Sequence, residues 1–265
     1  MAAEASSPIL ATLDGAIMQI TLNRPSRKNA LDQHGWALLR ETLEELSTDD
    51  AVRVVVLTGA DGNFCAGSDL AGGSAEEHPV SRMRRLGRVA TTVHEFPKPI
   101  IARVDGAAVG AGCNLALACD FVVASTSARF SQVFARRGLS IDLGGSWILP
   151  RLVGLQQAKR LVMLADMIGA EEAQQLGLVG WVKPEQELDG FVADLAHRLA
   201  ALPPVALAQS KALLHQGATQ TLREALDNET RAQAINLATE DAPIAYRAFL
   251  DKTETPQYTG RWAVR

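Results

Sequence analysis

The chain has 265 residues, 47% hydrophobic and 21% charged, with a formal net charge of −4 at pH 7. So much apolar residue builds the core of one large domain, or of one domain with a small appendage, and excludes a disordered chain. The acidic balance argues against a nucleic-acid surface, so an anionic ligand would have to be met by local basic residues.

The first residues carry no basic stretch ahead of an apolar one, and no apolar run approaches about 18 residues. That reads as a cytoplasmic protein with no membrane partner. Ile17 to Leu22 reads as a strand ended by the turn residues Asn23-Arg24-Pro25. Leu31, Trp36, Leu39, Leu43 and Leu46 then recur at helical spacing, with Arg40, Glu41, Glu44 and Glu45 on the wet side. Val52 to Thr58, Ile100 to Val104 and Phe121 to Ala124 are short apolar runs, as expected of strands covered on both faces. Between the first two, Val80, Met83, Leu86, Ala90 and Val93 mark an amphipathic helix stopped at Phe96 by Pro97 and Pro99. The recurring order of strand, strand and helix predicts an α/β fold with a sheet packed on helices.

Beyond about residue 155 the strand signals largely end. Ala158 to Leu164, Glu171 to Leu176, Leu188 to Leu202 and Pro204 to His215 read helical. Thr221-Leu222-Arg223-Glu224 is a capping box opening a helix to about Thr239, and Asp241-Ala242-Pro243 starts the last helix. The division expected is a core over 1–200 and a helical region over 201–265, the latter a surface for assembly.

Two glycine-punctuated segments, Phe64-Cys65-Ala66-Gly67-Ser68-Asp69-Leu70 and Val104 to Asn114, each follow a β-branched apolar run and open toward a helical stretch. In the second, Gly110-Ala111-Gly112 begins a helix, where the first N–H groups have no partner and the dipole is positive. An oxyanion is favoured there without a charged side chain. A phosphate loop would use similar glycines, but G-x-x-x-G-x-G is not G-x-G-x-x-G, and no Lys-Ser/Thr follows. A purely structural turn stays open on spacing alone.

Taken together, Ile20 to Pro25 with Asn29-Ala30-Leu31, the Phe64 to Leu70 segment, Val104 to Asp120, and Gly138 to Gly154 resemble the crotonase superfamily, the enoyl-CoA hydratase/isomerase family, in order over nearly the whole chain. The resemblance implies a spiral of repeated ββα units followed by a C-terminal helical region, assembled as a homotrimer or homohexamer. It implies an acyl-CoA thioester as substrate and no separate cofactor. The oxyanion-hole amides fall on Ser68 and Ala111, with Ala66, Asp69 and Leu70 beside them. Arg27, Lys28 and Ala30 of the Asn-Ala-Leu loop, with Lys252 on the last helix, match the CoA site.

A typical hydratase of that family holds a water with two glutamates, and here Asn114 and Phe134 stand in their places. Asparagine takes up no proton usefully, and phenylalanine makes no hydrogen bond. Asp142, within Gly138-Leu139-Ser140-Ile141-Asp142-Leu143-Gly144-Gly145, falls on the catalytic aspartate of dienoyl-CoA isomerases, aroyl-CoA dehalogenases and the isomerases of phenylacetate degradation. A turn-capping aspartate is the bland alternative. Its apolar neighbours Ile141, Leu143 and Trp147 should raise its pKa and suit it to proton transfer.

Other groups carry less. Cys65, Cys113 and Cys119 form no CxxC pair and lie beside no histidine at ligand spacing, so they read as buried thiols with no metal site. His34, His78, His94, His197 and His215 read as surface or partnered histidines. Asp69 and Asp120 read as helix caps. The resemblance, with Asp142 as its one remaining carboxylate, implies an enoyl-CoA isomerase with Asp142 as single acid/base. A hydratase with Asn114 helping to place water, an Asp142 nucleophile and a CoA-ester binder without turnover are the alternatives. The loop Gly72 to Met83 is expected to shape the pocket.

Overall fold

The computed structural model describes residues 7–72, 77–254 and 256–263. Its centre is the apolar run β3 (Val54–Gly59), flanked in parallel by β2 (Ile17–Leu22) and β4 (Ile100–Val104). β1 (Ile9–Asp14) closes one edge antiparallel to β2, and β6 (Phe121–Ser125) and β9 (Trp181–Lys183) extend the other edge in parallel. The sheet order is thus β1-β2-β3-β4-β6-β9. A second sheet has the order β5-β7-β8, from β5 (Ala107–Val109), β7 (Arg129–Ser131) and β8 (Ile168–Gly169).

Period-two alternation assigns the two faces of β3. Val55 and Leu57 join the main core with residues of α1 (Gln33–Ser47), α2 (Pro79–His94) and α3 (Ala111–Ala118). Val54 and Val56 face the other way, where Leu188, Val192, Leu195 and Ala196 of α6 (Glu185–Ala200) cover them. A strand covered on both faces has no polar alternation to show, which is why Val52 to Thr58 is apolar almost throughout.

One expectation is refined here. Strands do occur beyond residue 155, namely β8 and β9, but at two and three residues they are too short to display a period. β1 carries no sustained apolar run or alternation to mark it, because it is an edge strand exposed at all but its first position. The capping box is present as read, with the Thr221 N–H donating to Glu224 Oε2 at 2.8 Å at the head of α8 (Leu222–Leu237).

Between β8 and β9 lies α5 (Ala170–Gln175), preceded by α4 (Gly145–Leu164), which breaks at Gly154. α6 and α7 (Pro204–Gly217) meet at 103°, and α9 (Asp241–Asp251) packs on α8. α7 is tied to the sheet by Lys211, whose Nζ sits 2.8 Å from Asp120 Oδ2. That corrects the reading of Asp120 as a helix cap: it accepts from the Ile100 N–H and from Lys211, and so joins β4 to α7. Among the described residues no single helix is long and apolar enough to cross a membrane.

Candidate active site

The first glycine segment lies between two others and is bonded to both. On one side the Cys65 N–H donates to Ala107 O at 2.8 Å, and the Val109 N–H donates to Cys65 O at 2.9 Å. On the other, the Ala66 N–H reaches Lys28 O, the Leu31 N–H reaches Gly67 O, and the Asp69 N–H reaches Leu31 O, each at 2.9 Å. Ser68 stands opposite Leu31 in this short parallel bridge, and in such a ladder only every second N–H points to a given neighbour. The Ser68 N–H is therefore left without an acceptor among the described residues.

Ala111 is the first residue of α3, so its N–H has no helical partner, and Gly110 before it offers no side-chain cap. Gly67 makes the two amides neighbours. Its φ is +96°, and a Cβ there would lie 2.8 Å from Val109 O and 3.3 Å from Ala111 N. Only a glycine keeps that gap open. Two free N–H groups beside one gap, one of them at the positive end of a buried helix, can hold an oxygen that becomes negative.

Ser68, Asp69 and Leu70 form one wall of a cavity of about 470 Å³. Trp36 of α1, Leu86 and Val89 of α2, and the loop Leu139 to Asp142 form the others. Three aspartates line it. Asp32 is committed, capping α1 through the Gly35 N–H at 2.8 Å with Arg24 at 3.5 Å. Asp69 is committed too: the Ala71 N–H and the Arg24 guanidinium at 3.0 Å hold its carboxyl below the usual range, and it caps the short turn at Leu70 as read.

Asp142 is different. Its Oδ1 is buried with no hydrogen-bond partner among the described residues. Burial pushes its pKa from 3.8 up to about 6, since nothing nearby compensates the charge that desolvation disfavours. The turn that presents it passes through two left-handed residues, Leu143 at φ 47° and Gly144 at φ 76°.

The other residues singled out in the sequence fall in three places. Ala30 is buried and Ala66 half-buried, within the bonded loops, while Arg27 and Lys28 are exposed just outside them. Lys252 is exposed at the C-terminal cap of α9 and is not on the cavity wall. Asn114 and Phe134 are also off that wall. Phe134 packs over Gly110, and Asn114 is fully buried with both ends of its amide engaged, donating to Asp142 O at 2.9 Å and accepting from Gln132 Nε2 at 2.8 Å. Of the loop Gly72 to Met83, Met83 and Arg82 line the cavity, and 73–76 lie outside the described residues.

Sequence reasoning missed Arg24, Gln132 and the role of Trp36 as a cavity wall. Arg24 stands within the quoted Asn23-Arg24-Pro25 turn, but its partner Asp69 is 45 residues away. Gln132 follows a three-residue strand and belongs to no motif. The three cysteines are buried free thiols, with burial pushing those of Cys65 and Cys113 up to about 12. His94 stacks on His215, with ring centroids 3.8 Å apart, and meets the edge of Trp147 at 5.0 Å. No group of three or more metal-ligating side chains occurs among the described residues.

A family model described as enoyl-CoA hydratase/isomerase matches residues 12–261. The chain belongs to the enoyl-CoA hydratase/isomerase family. It is 36% identical over 259 residues to the 1,2-epoxyphenylacetyl-CoA isomerase of Escherichia coli, covering 96% of this chain and 98% of that one. It is 35% identical over 255 residues to the 2,3-dehydroadipyl-CoA hydratase of the same organism, covering 96% and 100%. The solved enoyl-CoA hydratase of Bacillus anthracis superposes with a TM-score of 0.91 at 32% identity, covering 96% and 100%. The protein is thus a crotonase-fold enzyme of this family, whose relatives include an isomerase as well as hydratases.

Proposed function

We propose that this family member is an enoyl-CoA isomerase in which Asp142 is the single acid/base and the Ser68 and Ala111 N–H groups are the oxyanion hole. The observation that carries the reading is Asp142, a carboxylate with one buried and uncommitted oxygen, on the wall of the cavity that Ser68 also lines. With a 3-enoyl-CoA, the ionised Asp142 takes a proton from the carbon beside the thioester carbonyl. The released electron pair moves onto the thioester oxygen, where the two amides stabilise it. Protonated Asp142 then returns the proton at the far carbon, and the double bond ends in conjugation with the carbonyl. One carboxylate suffices for both transfers, and a pKa near 6 suits a group that must both accept and give back a proton near neutrality.

Hydration would need a second group to hold water against the double bond. Phe134 has none to offer, and both ends of the Asn114 amide are already bonded inside the protein. A nucleophilic Asp142 would leave a covalent ester visible by mass spectrometry, and a binding protein without turnover would have no use for a desolvated free carboxylate. Arg27 and Lys28, exposed on the loop bonded to Ala66, are suited to the phosphates of CoA, with Lys252 as a further cation. Exposed Leu214, Leu222, Phe249 and Leu250 on the C-terminal helices support assembly as a trimer or hexamer.

The test uses two substrates. A 3-enoyl-CoA should gain the absorbance of a conjugated thioester, while a 2-enoyl-CoA should keep it. Loss of absorbance from the 2-enoyl-CoA, with no gain from the 3-enoyl-CoA, would make the enzyme a hydratase.

A further inference from the structure

We propose that Asn114 and Gln132 are positioning residues for Asp142, acting through its main-chain carbonyl. The proposal rests on the reading of Asp142 as the acid/base. Because Oδ1 has no partner, hydrogen bonds do little to hold the carboxylate, and its aim depends on the backbone beneath it. That backbone runs straight into Leu143 and Gly144 with positive φ, a conformation a leucine adopts only where its surroundings enforce it.

Two donors converge on the Asp142 carbonyl: Asn114 Nδ2 at 2.9 Å and the Gly145 N–H at 2.9 Å. The second belongs to the turn itself, whereas the first comes from α3, the helix whose first residue is Ala111. Asn114 therefore ties the loop bearing the acid/base to the element bearing an oxyanion donor. The amide lies flush on the turn, since a Cβ at Gly145 would come within 2.4 Å of Nδ2.

Gln132 sets which way the Asn114 amide faces. Its Nε2 donates to Asn114 Oδ1 at 2.8 Å, which leaves Nδ2 for Asp142. Reversing either amide would set two oxygens or two N–H groups against each other. Both side chains are buried away from bulk solvent, and Gln132 Oε1 has no partner among the described residues. The place taken by an acid in the typical hydratase thus serves here as a strut that holds a different acid.

The test compares Asn114→Leu, which keeps the volume and removes the amide, with Gln132→Met, which keeps Asn114 and removes the amide whose Nε2 donates to Asn114 Oδ1 and reaches Cys113 Sγ. Misplacing a reacting group by about 1 Å costs on the order of a hundredfold in rate. Asn114→Leu should lower kcat about a hundredfold and Gln132→Met about tenfold, with KM within about threefold of wild type. The acid limb of the pH–rate profile should also move from about 6 toward the ordinary carboxylate value as the loop relaxes into water. A merely structural role would lower Tm and leave the folded enzyme's kcat and pH midpoint alone; that result overturns the proposal. If Asn114→Leu does not fold, Gln132→Met decides by the same readouts. Asp142→Asn in the same assay separates the two readings. If it keeps the wild-type rate, the acid/base reading fails and takes the proposal with it; if it alone is inactive while both positioning variants turn over normally, only the positioning fails.

Discussion

Replacing Asp142 by Asn should make the protein more stable relative to wild type as the pH rises, while abolishing turnover. Burial lifts the native pKa to about 6 against 3.8 for the ordinary carboxyl. A native value above the unfolded one means that the unfolded chain loses its proton first. Ionisation therefore costs stability, a cost nearly absent below about pH 4 and complete above about pH 6. At about 1.36 kcal/mol per tenfold change, the whole difference is about 3 kcal/mol, of which about 2 kcal/mol develops between pH 4.5 and pH 8. The figure is an upper one, because Asp142 is only half-buried and lines the open cavity. Asn brings its own unpaired amide, but that cost does not vary with pH, so the variant's stability relative to wild type carries the signal. Urea unfolding of both proteins across this range measures it. A difference flat within about 0.5 kcal/mol would mean that Asp142 is hydrated as well in the folded protein as in the unfolded chain, and the desolvation argument would fall.

Three further outcomes follow from the same geometry. The kcat/KM of the wild-type enzyme should fall below a midpoint near pH 6 as Asp142 protonates, and a midpoint near 4 would contradict its burial. Gly67→Ala places a methyl 2.8 Å from Val109 O and 3.3 Å from Ala111 N at a φ of +96°, so kcat should drop by about a hundredfold or more and Tm should fall, as measured by steady-state kinetics and calorimetry. Leu188→Ala empties a fully buried site between α6 and the back of the sheet, and should cost about 2 to 5 kcal/mol in chemical unfolding while leaving the kcat of the folded enzyme unchanged.

What the sequence displayed was whatever depends on local pattern. The strands β3 and β4 announced themselves as unbroken apolar runs, α1 and α2 by their stripes, and α8 by its capping box. The free amide of Ala111 was legible because a helix start leaves an N–H unpaired wherever it occurs. The free amide of Ser68 was legible only through the family resemblance, since it depends on Leu31 pairing alongside. Long-range partners left no trace in the pattern. Asp120 looked like a cap because Lys211, 91 residues later, carries no mark of its partner. β5, β7 and β8 are two or three residues long and exist because each is paired by a distant segment. Asn114 was noticed for the acid it replaces, while its bond to Asp142, 28 residues on, became visible only in three dimensions.

The most direct test of the central claim is turnover of a 3-enoyl-CoA by purified Asp142→Asn protein, followed by the absorbance of the conjugated thioester and checked for folding by circular dichroism. The account predicts a folded protein that binds the thioester and forms conjugated product at least about a thousandfold more slowly than wild type. Conjugated product at the wild-type rate would contradict it.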